Sequence, residues 1–162
     1  MSSITVLEPG DGSISDIIAG TLRALPEGRA IRGLRFLGEA ALRTGGCPDL
    51  VVVSPLPGYR SNATLRCTFL LVPGTAADLG RLPQPDCVVS YGLSKRDSVT
   101  LSSIMDETLV LSLQRELPTL EGTLLERQDI PVPRLAGRRP DELLAAAAAL
   151  LLLGLPAENL VI

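Results

Sequence analysis

Four short apolar runs without regular polar alternation stand out between the start of the chain and Tyr91. They are ITVL near the N-terminus, LVVVS at 50–54, CTFLLV at 67–72 and CVVSY at 87–91. Strands that are covered on both faces have this continuous apolar pattern, which is typical of parallel sheets. The pattern therefore predicts that strands at about 3–8, 50–54, 67–72 and 87–91 lie in one parallel sheet.

Two segments have apolar residues at helical spacing: one directly after the first apolar run and one near the end of the chain. ISDIIAGTLRAL repeats its apolar residues at intervals of three and four, which predicts a helix directly after a glycine-containing loop. A second helix is predicted from Pro140, with acidic residues in its first turn and a stop at Gly154. A short helix from Thr75 to Leu82 would connect the last two parallel strands as a crossover.

The pattern changes after Tyr91. TLVLSLQREL at 108–117 and TLLERQDIPV at 123–132 alternate on either side of Glu121-Gly122, which predicts an antiparallel hairpin. A two-residue turn sets a charge-complementary register, with Gln114 opposite Asp129 and Glu116 opposite Arg127.

Together these elements predict an α/β fold with a mostly parallel sheet, helices on both faces and an antiparallel hairpin at one edge. We expect a single domain over 1–162. It comprises a parallel core at 1–92, a hairpin extension at 93–135 and a C-terminal core helix at 140–155. Residues 30–46 fit a strand followed by a helical turn, and their structure is left open.

Composition removes several classes of function. The 162 residues are 46% hydrophobic and 20% charged, with a net charge of -3, as in a globular protein. The sequence has no histidine, which excludes Ser-His-Asp and Cys-His catalysis and His-ligated zinc. With 2% aromatic residues and no basic stretch, nucleic acid is not an expected partner. The apolar run from Leu143 to Leu155 is shorter than the roughly 18 residues that span a bilayer, so no membrane is expected.

Three cysteines, Cys47, Cys67 and Cys87, are far apart in the sequence and form no C-x-x-C pair. We interpret them as reduced thiols rather than metal ligands or disulfides. The N-terminal segment MSSITVLEPGD lacks the basic and apolar regions of a secretory signal, which favours the cytoplasm. No cofactor is predicted.

The order and the residues of these segments resemble those of the central ATP-binding domain of the Mur ligases, which are the amide-forming enzymes of peptidoglycan precursor synthesis. The same domain occurs in the related folylpolyglutamate synthases. ITVLEPGDGSISDIIAGTLRAL resembles the first strand, phosphate loop and helix of that family. VVSYGLSKRDSVTLSSI resembles a later strand with its "YG…D" segment, and DELLAAAAALLLLGLPAENL resembles the alanine-rich helix. The resemblance spans nearly the whole chain and implies a reduced Mur-ligase central domain.

The departures from the family pattern concern its catalytic positions. Ser13 stands where the resemblance places the phosphate-loop lysine, and Ile14 stands at the metal-binding threonine. Pro73-Gly74 replaces an expected asparagine and aspartate at a strand end. Because phosphoryl transfer depends on positioned charges of this kind, the resemblance implies a scaffold without that catalysis.

The candidate site is the loop that opens the first helix. Its main-chain N–H groups and the helix dipole can hold a small anion without a lysine, and the expected ligand-binding residues are Gly10, Asp11, Gly12, Ser13 and Ser15. The alternative is a plain strand-to-helix turn that needs glycine for its backbone angles. The predicted function is a non-catalytic protein that binds a partner protein or a small anionic ligand near the carboxyl ends of the strands.

Two other functions remain open. One is an enzyme with a new active site at the strand ends, using carboxylates such as Asp11, Asp16 or Asp97 with a supplied metal. The other is a structural subunit that buries its hairpin and terminal helix in a homo-oligomer. Tyr91 and Lys95 match the Y-x-x-x-K spacing of short-chain dehydrogenases, but Gly92 follows a strand end, where the two side chains would not share a helical face.

Overall fold

A computed structural model describes residues 2–10, 12–26, 33–38, 40, 44–56, 66–76, 84–134 and 137–162. These residues form a main sheet, a small second sheet and two α-helices. The main sheet contains β1 (Ser3–Leu7), β2 (Arg35–Phe36), β3 (Leu50–Val53), β4 (Arg66–Pro73), β5 (Gln84–Gly92), β6 (Val99–Ile104), β7 (Thr108–Leu113) and β10 (Asp129–Pro133). The second sheet pairs β8 (Leu117–Pro118) with β9 (Leu124–Leu125). The helices are α1 (Ser13–Ala24) and α2 (Pro140–Leu152), followed by a 3-10 turn at Ala157–Asn159.

Strands of the main sheet follow the order β10-β7-β6-β5-β4-β3-β1-β2. From β2 to β6 neighbouring strands are parallel, and β7 is antiparallel to both β6 and β10. The four apolar runs are β1, β3, β4 and β5, side by side, so the prediction of one parallel sheet is confirmed. The antiparallel strands lie at one edge, as expected.

Both faces of the central strands are buried, which explains why their sequences do not alternate. One face contributes Ile4, Val52 and Leu71 to a core that includes both helices. The opposite face contributes Val51 and Leu70 to a second cluster. The two described helices contact each other on the first face. The predicted helix Thr75–Leu82 lies mostly outside the described residues.

Helix α2 is buried on all sides along nearly its whole length, as its uniformly apolar sequence predicts. Pro140 occupies the first turn, where its missing N–H costs nothing. The helix ends in a Schellman motif: the Leu155 N–H donates to the Leu150 carbonyl at 3.0 Å, and Gly154 adopts a φ of 93°. The chain itself therefore covers this helix. No helix among the described residues is long and apolar enough to cross a bilayer.

The predicted hairpin is antiparallel, but its predicted register is wrong, by two residues between β7 and β10 and by one residue between β8 and β9, where Leu117 pairs with Leu125. Asp129 of β10 pairs with Ser112 of β7, not with Gln114. The intervening residues are taken up by β8, β9 and a turn in which the Thr119 N–H donates to the Thr123 carbonyl at 2.8 Å. Since side chains alternate with a period of two, the shift between β7 and β10 keeps the same residues on the core face.

Strand β6 has no counterpart among the predicted elements, and it separates the hairpin from the other parallel strands. Only two residue pairs join it to β5, namely Tyr91 with Val99 and Gly92 with Thr100. Its pairing with β7 contains an irregularity between Leu101 and Ser103. The outer half of β6 is exposed and partly polar, which hides its strand character in the sequence.

Burial makes Cys67 a pH-dependent contributor to stability. Its removal from water, and to a smaller extent nearby Cys47 and Asp86, raise the pKa of the thiol from 9.0 to about 12. Between these two pH values the unfolded chain releases the proton while the folded chain retains it. The contribution is therefore complete below pH 9.0 and is lost as the pH rises toward about 12.

We expect Cys67→Ala to lose stability less steeply than the wild type between pH 9.0 and about 12. The free energy of unfolding, measured by urea denaturation at several pH values, checks this. Val51→Ala is the control, since it removes methyl groups from the same buried cluster without removing a titratable group. An identical pH slope in Cys67→Ala and in the wild type would contradict the assignment.

Candidate functional site

The loop between β1 and α1 makes the left-handed turn that its glycines predict. Gly12 is the N-cap residue of α1 and has a φ of 66°, a conformation that a side chain would strain. Glycine cannot cap a helix with its own side chain, so the first N–H groups of α1 need another acceptor.

Glu8 supplies that acceptor. One carboxylate oxygen accepts a hydrogen bond from the Ile14 N–H at 2.8 Å. The other accepts from the Ser15 N–H at 3.2 Å and from the Ser15 hydroxyl at 2.5 Å. A negative charge at this position is also stabilised by the helix dipole. The donors that the sequence predicts for an external anion therefore hold a carboxylate of the same chain.

A second internal carboxylate contacts the start of α1. The Ser13 hydroxyl donates to Oε2 of Glu142, in the first turn of α2, at 2.9 Å. Ser13 is 8% exposed and Glu142 is 6% exposed. Ser13 thus joins two helices inside the protein. No local sequence pattern predicts this pair, because the two residues are far apart along the chain.

The structure describes four of the five predicted site residues, namely Gly10, Gly12, Ser13 and Ser15. Gly10 is exposed, and Asp11 lies outside the described residues. Gly12, Ser13 and Ser15 are close in the structure, but the serine hydroxyls are engaged by Glu142 and Glu8. Glu8 directly follows β1 and stands four residues before the N-cap residue Gly12. This position of a carboxylate was the sequence signal that could have indicated Glu8 as the acceptor for the first N–H groups of α1.

A cleft lies at the carboxyl ends of the parallel strands, where open α/β sheets commonly bind ligands. We call it the sheet-end cleft, and it has a volume of about 450 Å³. Its principal lining residues come from the segments after β3, β4 and β5 and from α2: Pro55, Gly74, Leu93, Ser94, Asp97 and Leu144.

Asp97 is the buried polar group of this cleft, with 6% of its surface exposed. Its Oδ2 accepts a hydrogen bond from the Ser94 N–H at 3.1 Å, and its own N–H donates to the Ser94 carbonyl at 3.0 Å. Its Oδ1 accepts no hydrogen bond from the part of the chain that the structure describes. Among those residues, the turn at 94–97 therefore supplies a donor to Oδ2 alone, and Oδ1 is not one of the fully enclosed atoms without a partner.

Two glycines make room for that carboxylate. A Cβ atom on Gly74 or on Gly92 would overlap the Asp97 side chain. Gly74 directly follows β4 and Gly92 ends β5, which brings backbone without a side chain close to both carboxylate oxygens. In the sequence, Asp97 is only one of several candidate carboxylates. The Pro73-Gly74 and Tyr91-Gly92 pairs at neighbouring strand ends were the available signal for a close approach.

Tyr91 is another residue that lines the cleft, and a hydrogen bond fixes its side chain. Its hydroxyl is buried and donates to the Val53 carbonyl at 2.6 Å. This bond links β5 to the end of β3 across β4. The tyrosine therefore has a structural hydrogen bond, whereas Lys95 is exposed in the following turn.

Two of the carboxylates named for an enzymatic alternative, Asp16 and Asp97, line different cavities. Asp16 lines a separate groove of about 330 Å³ along α1, next to Gly20, Arg138 and Ile162. Asp97 lies in the sheet-end cleft, and Asp11 is outside the described ranges. Across those ranges, no three acidic or thiol side chains are grouped so that they could hold a metal ion.

Gly74→Ala should destabilise the fold by about 1–3 kcal/mol, because the new methyl group must displace a buried carboxylate. Gly20→Ala is the matched control. It lies inside α1, where an added methyl group would meet open space, so it should stabilise the protein by about 0.5–1 kcal/mol. Urea denaturation measures both changes. Equal stability of the two variants would contradict the described packing around Asp97.

Glu8→Ala should destabilise the protein by about 1 kcal/mol through loss of the cap, and it should free the loop donors for an external anion. Inorganic phosphate should then raise the Tm of this variant more than that of the wild type. Glu126→Ala removes the same charge from an exposed position and should respond as the wild type does. An equal response in all three proteins would contradict the closed loop.

Comparison with known proteins leaves this chain without an assigned family. No protein-family model matches it, and no curated protein sequence matches it. Its function must therefore be inferred from the geometry of the α1 loop and of the sheet-end cleft.

Proposed function

We propose that this protein is a non-catalytic relative of the Mur-ligase central domain, and that it binds a small ligand in the sheet-end cleft without turning over ATP. The observation that carries the proposal is the Glu8 carboxylate on the Ile14 and Ser15 N–H groups. We place this function in the cytoplasm, where the free thiols Cys47, Cys67 and Cys87 are typical.

The closed loop argues against phosphate binding at the family's usual position. A phosphate needs the N–H groups at the start of α1, and Glu8 already uses two of them. Displacing Glu8 would cost about 1 kcal/mol of capping energy, and the displaced carboxylate would still repel an anion nearby. An anionic ligand at this loop therefore competes with an acceptor that is part of the chain.

The charges around Ser13, at the position of the family's lysine, also argue against ATP chemistry. The Ser13 side chain is neutral, and its hydrogen-bond partner is the Glu142 carboxylate. Phosphoryl transfer depends on fixed positive charge around the phosphates, and each such contribution is worth a few kcal/mol of the barrier. A carboxylate behind this position opposes that stabilisation, which supports a function without ATP chemistry.

The sheet-end cleft is the better candidate for a ligand. Its volume of about 450 Å³ is within the range of small-molecule sites. Its walls combine apolar residues such as Pro55, Pro73, Leu93 and Leu144 with polar ones that include Asp97. Apolar walls with a few positioned polar groups are typical of such sites. The other expected binding partner is a protein. Leu93, which is 75% exposed at this cleft, offers an apolar contact for such a partner.

The experiment combines an activity assay with binding measured by NMR. The wild type, incubated with ATP and Mg²⁺, should produce no ADP above a buffer control. Titration with phosphate should leave the amide signals of Ser13, Ile14 and Ser15 unchanged, whereas a library of small organic fragments should yield binders that shift the signals of Gly74 and Asp97. ATP turnover that is lost in a folded Gly12→Val variant would overturn the proposal. A library without any binder in the cleft would overturn its ligand-binding part.

A further inference from the structure

The sheet-end cleft contains a buried acid, Asp97, with one oxygen that no described residue satisfies. We propose that this cleft selects ligands that carry a cationic nitrogen, an amine or a guanidine on an apolar body, through a charge-assisted hydrogen bond to Oδ1 of Asp97. This inference rests on the proposed function, because it assumes that the cleft is the ligand site.

Asp97 is short of hydrogen-bond donors. Its Oδ1 is not among the fully enclosed polar atoms that lack a partner, so a donor can still reach it. Asp97 has one donor among the described residues, the Ser94 N–H on Oδ2. It makes no ion pair with those residues, and it lines the cleft. A ligand that brings an N–H group to Oδ1 completes the hydrogen bonding of this carboxylate.

The surrounding backbone holds Asp97 rigidly. Gly74 and Gly92 bring their backbones against the carboxylate, and the turn from Ser94 to Asp97 closes with two hydrogen bonds. Asp97 is therefore held in place before any ligand arrives. A fixed acceptor loses little conformational freedom on binding, so most of the interaction contributes to affinity.

The charges around the cleft also favour a cation. Asp141 lines the cleft, and its carboxylate is paired with Arg139 through two hydrogen bonds of 3.0 and 2.6 Å. Arg96 lines the cleft too, but it is exposed to solvent, where its charge is screened. The buried charge next to the cavity is therefore negative, which favours a cation over an anion.

The shape of the cleft defines the rest of the ligand. Pro55, Pro73, Leu93 and Leu144 provide apolar surface beside Asp97. A purely polar cation would leave this surface in contact with water, whereas an aryl or alkyl group would cover it. An organic ammonium or amidinium with a ring or short chain matches both features.

Three probes of similar size separate charge from shape: benzylamine, benzyl alcohol and benzoate. NMR titration of the wild type gives a Kd for each, with the amide signals of Gly74, Gly92, Ser94 and Asp97 as the site marker. We expect benzylamine to bind about tenfold more tightly than benzyl alcohol, because a hydrogen bond between charged groups is about twice as strong as a neutral one. Benzoate should bind most weakly.

Asp97→Asn removes the charge while keeping a side chain of the same shape that can still accept the Ser94 hydrogen bond. Circular dichroism and the Tm establish that it is folded. We expect this variant to bind benzylamine no more tightly than benzyl alcohol. Asp106→Asn changes the net charge equally at an exposed site in the turn after β6 and should retain the preference of the wild type.

The outcomes separate the two proposals. If benzyl alcohol and benzylamine shift the cleft signals equally, or if Asp97→Asn keeps the preference for the amine, the cationic selectivity is wrong while the cleft remains a ligand site. If benzoate binds most tightly there, the selectivity is reversed and the inference is overturned. If no probe shifts the cleft signals, the inference fails, and the fragment library decides whether the cleft binds ligands at all.

Discussion

Burial of helix α2 is the constraint on which both candidate sites depend. Its residues from Glu142 to Leu152 are buried, and they contact the sheet and α1. Burial of Leu side chains of this kind contributes about 1.5–3 kcal/mol each, so the helix has little freedom to move relative to the sheet. Its first turn brings Glu142 to Ser13 and places Asp141 and Leu144 at the sheet-end cleft. The loop of α1 and the cleft are therefore positioned by the same element.

The two sites differ in how their polar groups are satisfied. At the α1 loop, donors from the backbone and from Ser15 meet the carboxylate of Glu8, and the site is complete without a ligand. At the sheet-end cleft, the carboxylate of Asp97 has one oxygen without a donor among the described residues, beside a cavity. Because of this contrast, we expect the ligand at the cleft rather than at the loop, and we expect it to carry a positive rather than a negative charge.

The sequence predicted the elements better than the contacts between them. Continuous apolar runs identified β1, β3 and β4 because a strand covered on both faces has few other sequences available. The same pattern identified β5, although Val88 in this strand is 49% exposed. The hairpin register could not be fixed in this way, since a shift of two residues leaves Leu109 and Leu111 on the core face. The donors of the α1 loop were predictable from Gly12 and the helix start. Their acceptor was missed, although Glu8 stands only four residues before Gly12, because the direction in which a side chain turns leaves no periodic pattern in the sequence.

The central claim is that the α1 loop is closed by the protein's own carboxylate. A crystal structure determined from a solution rich in ammonium sulfate tests it most directly, because sulfate is present at high concentration and imitates a phosphate group. We predict that the Glu8 carboxylate remains on the Ile14 and Ser15 N–H groups and that no sulfate occupies the loop. A sulfate bound to these N–H groups, with Glu8 turned away into solvent, would contradict the account.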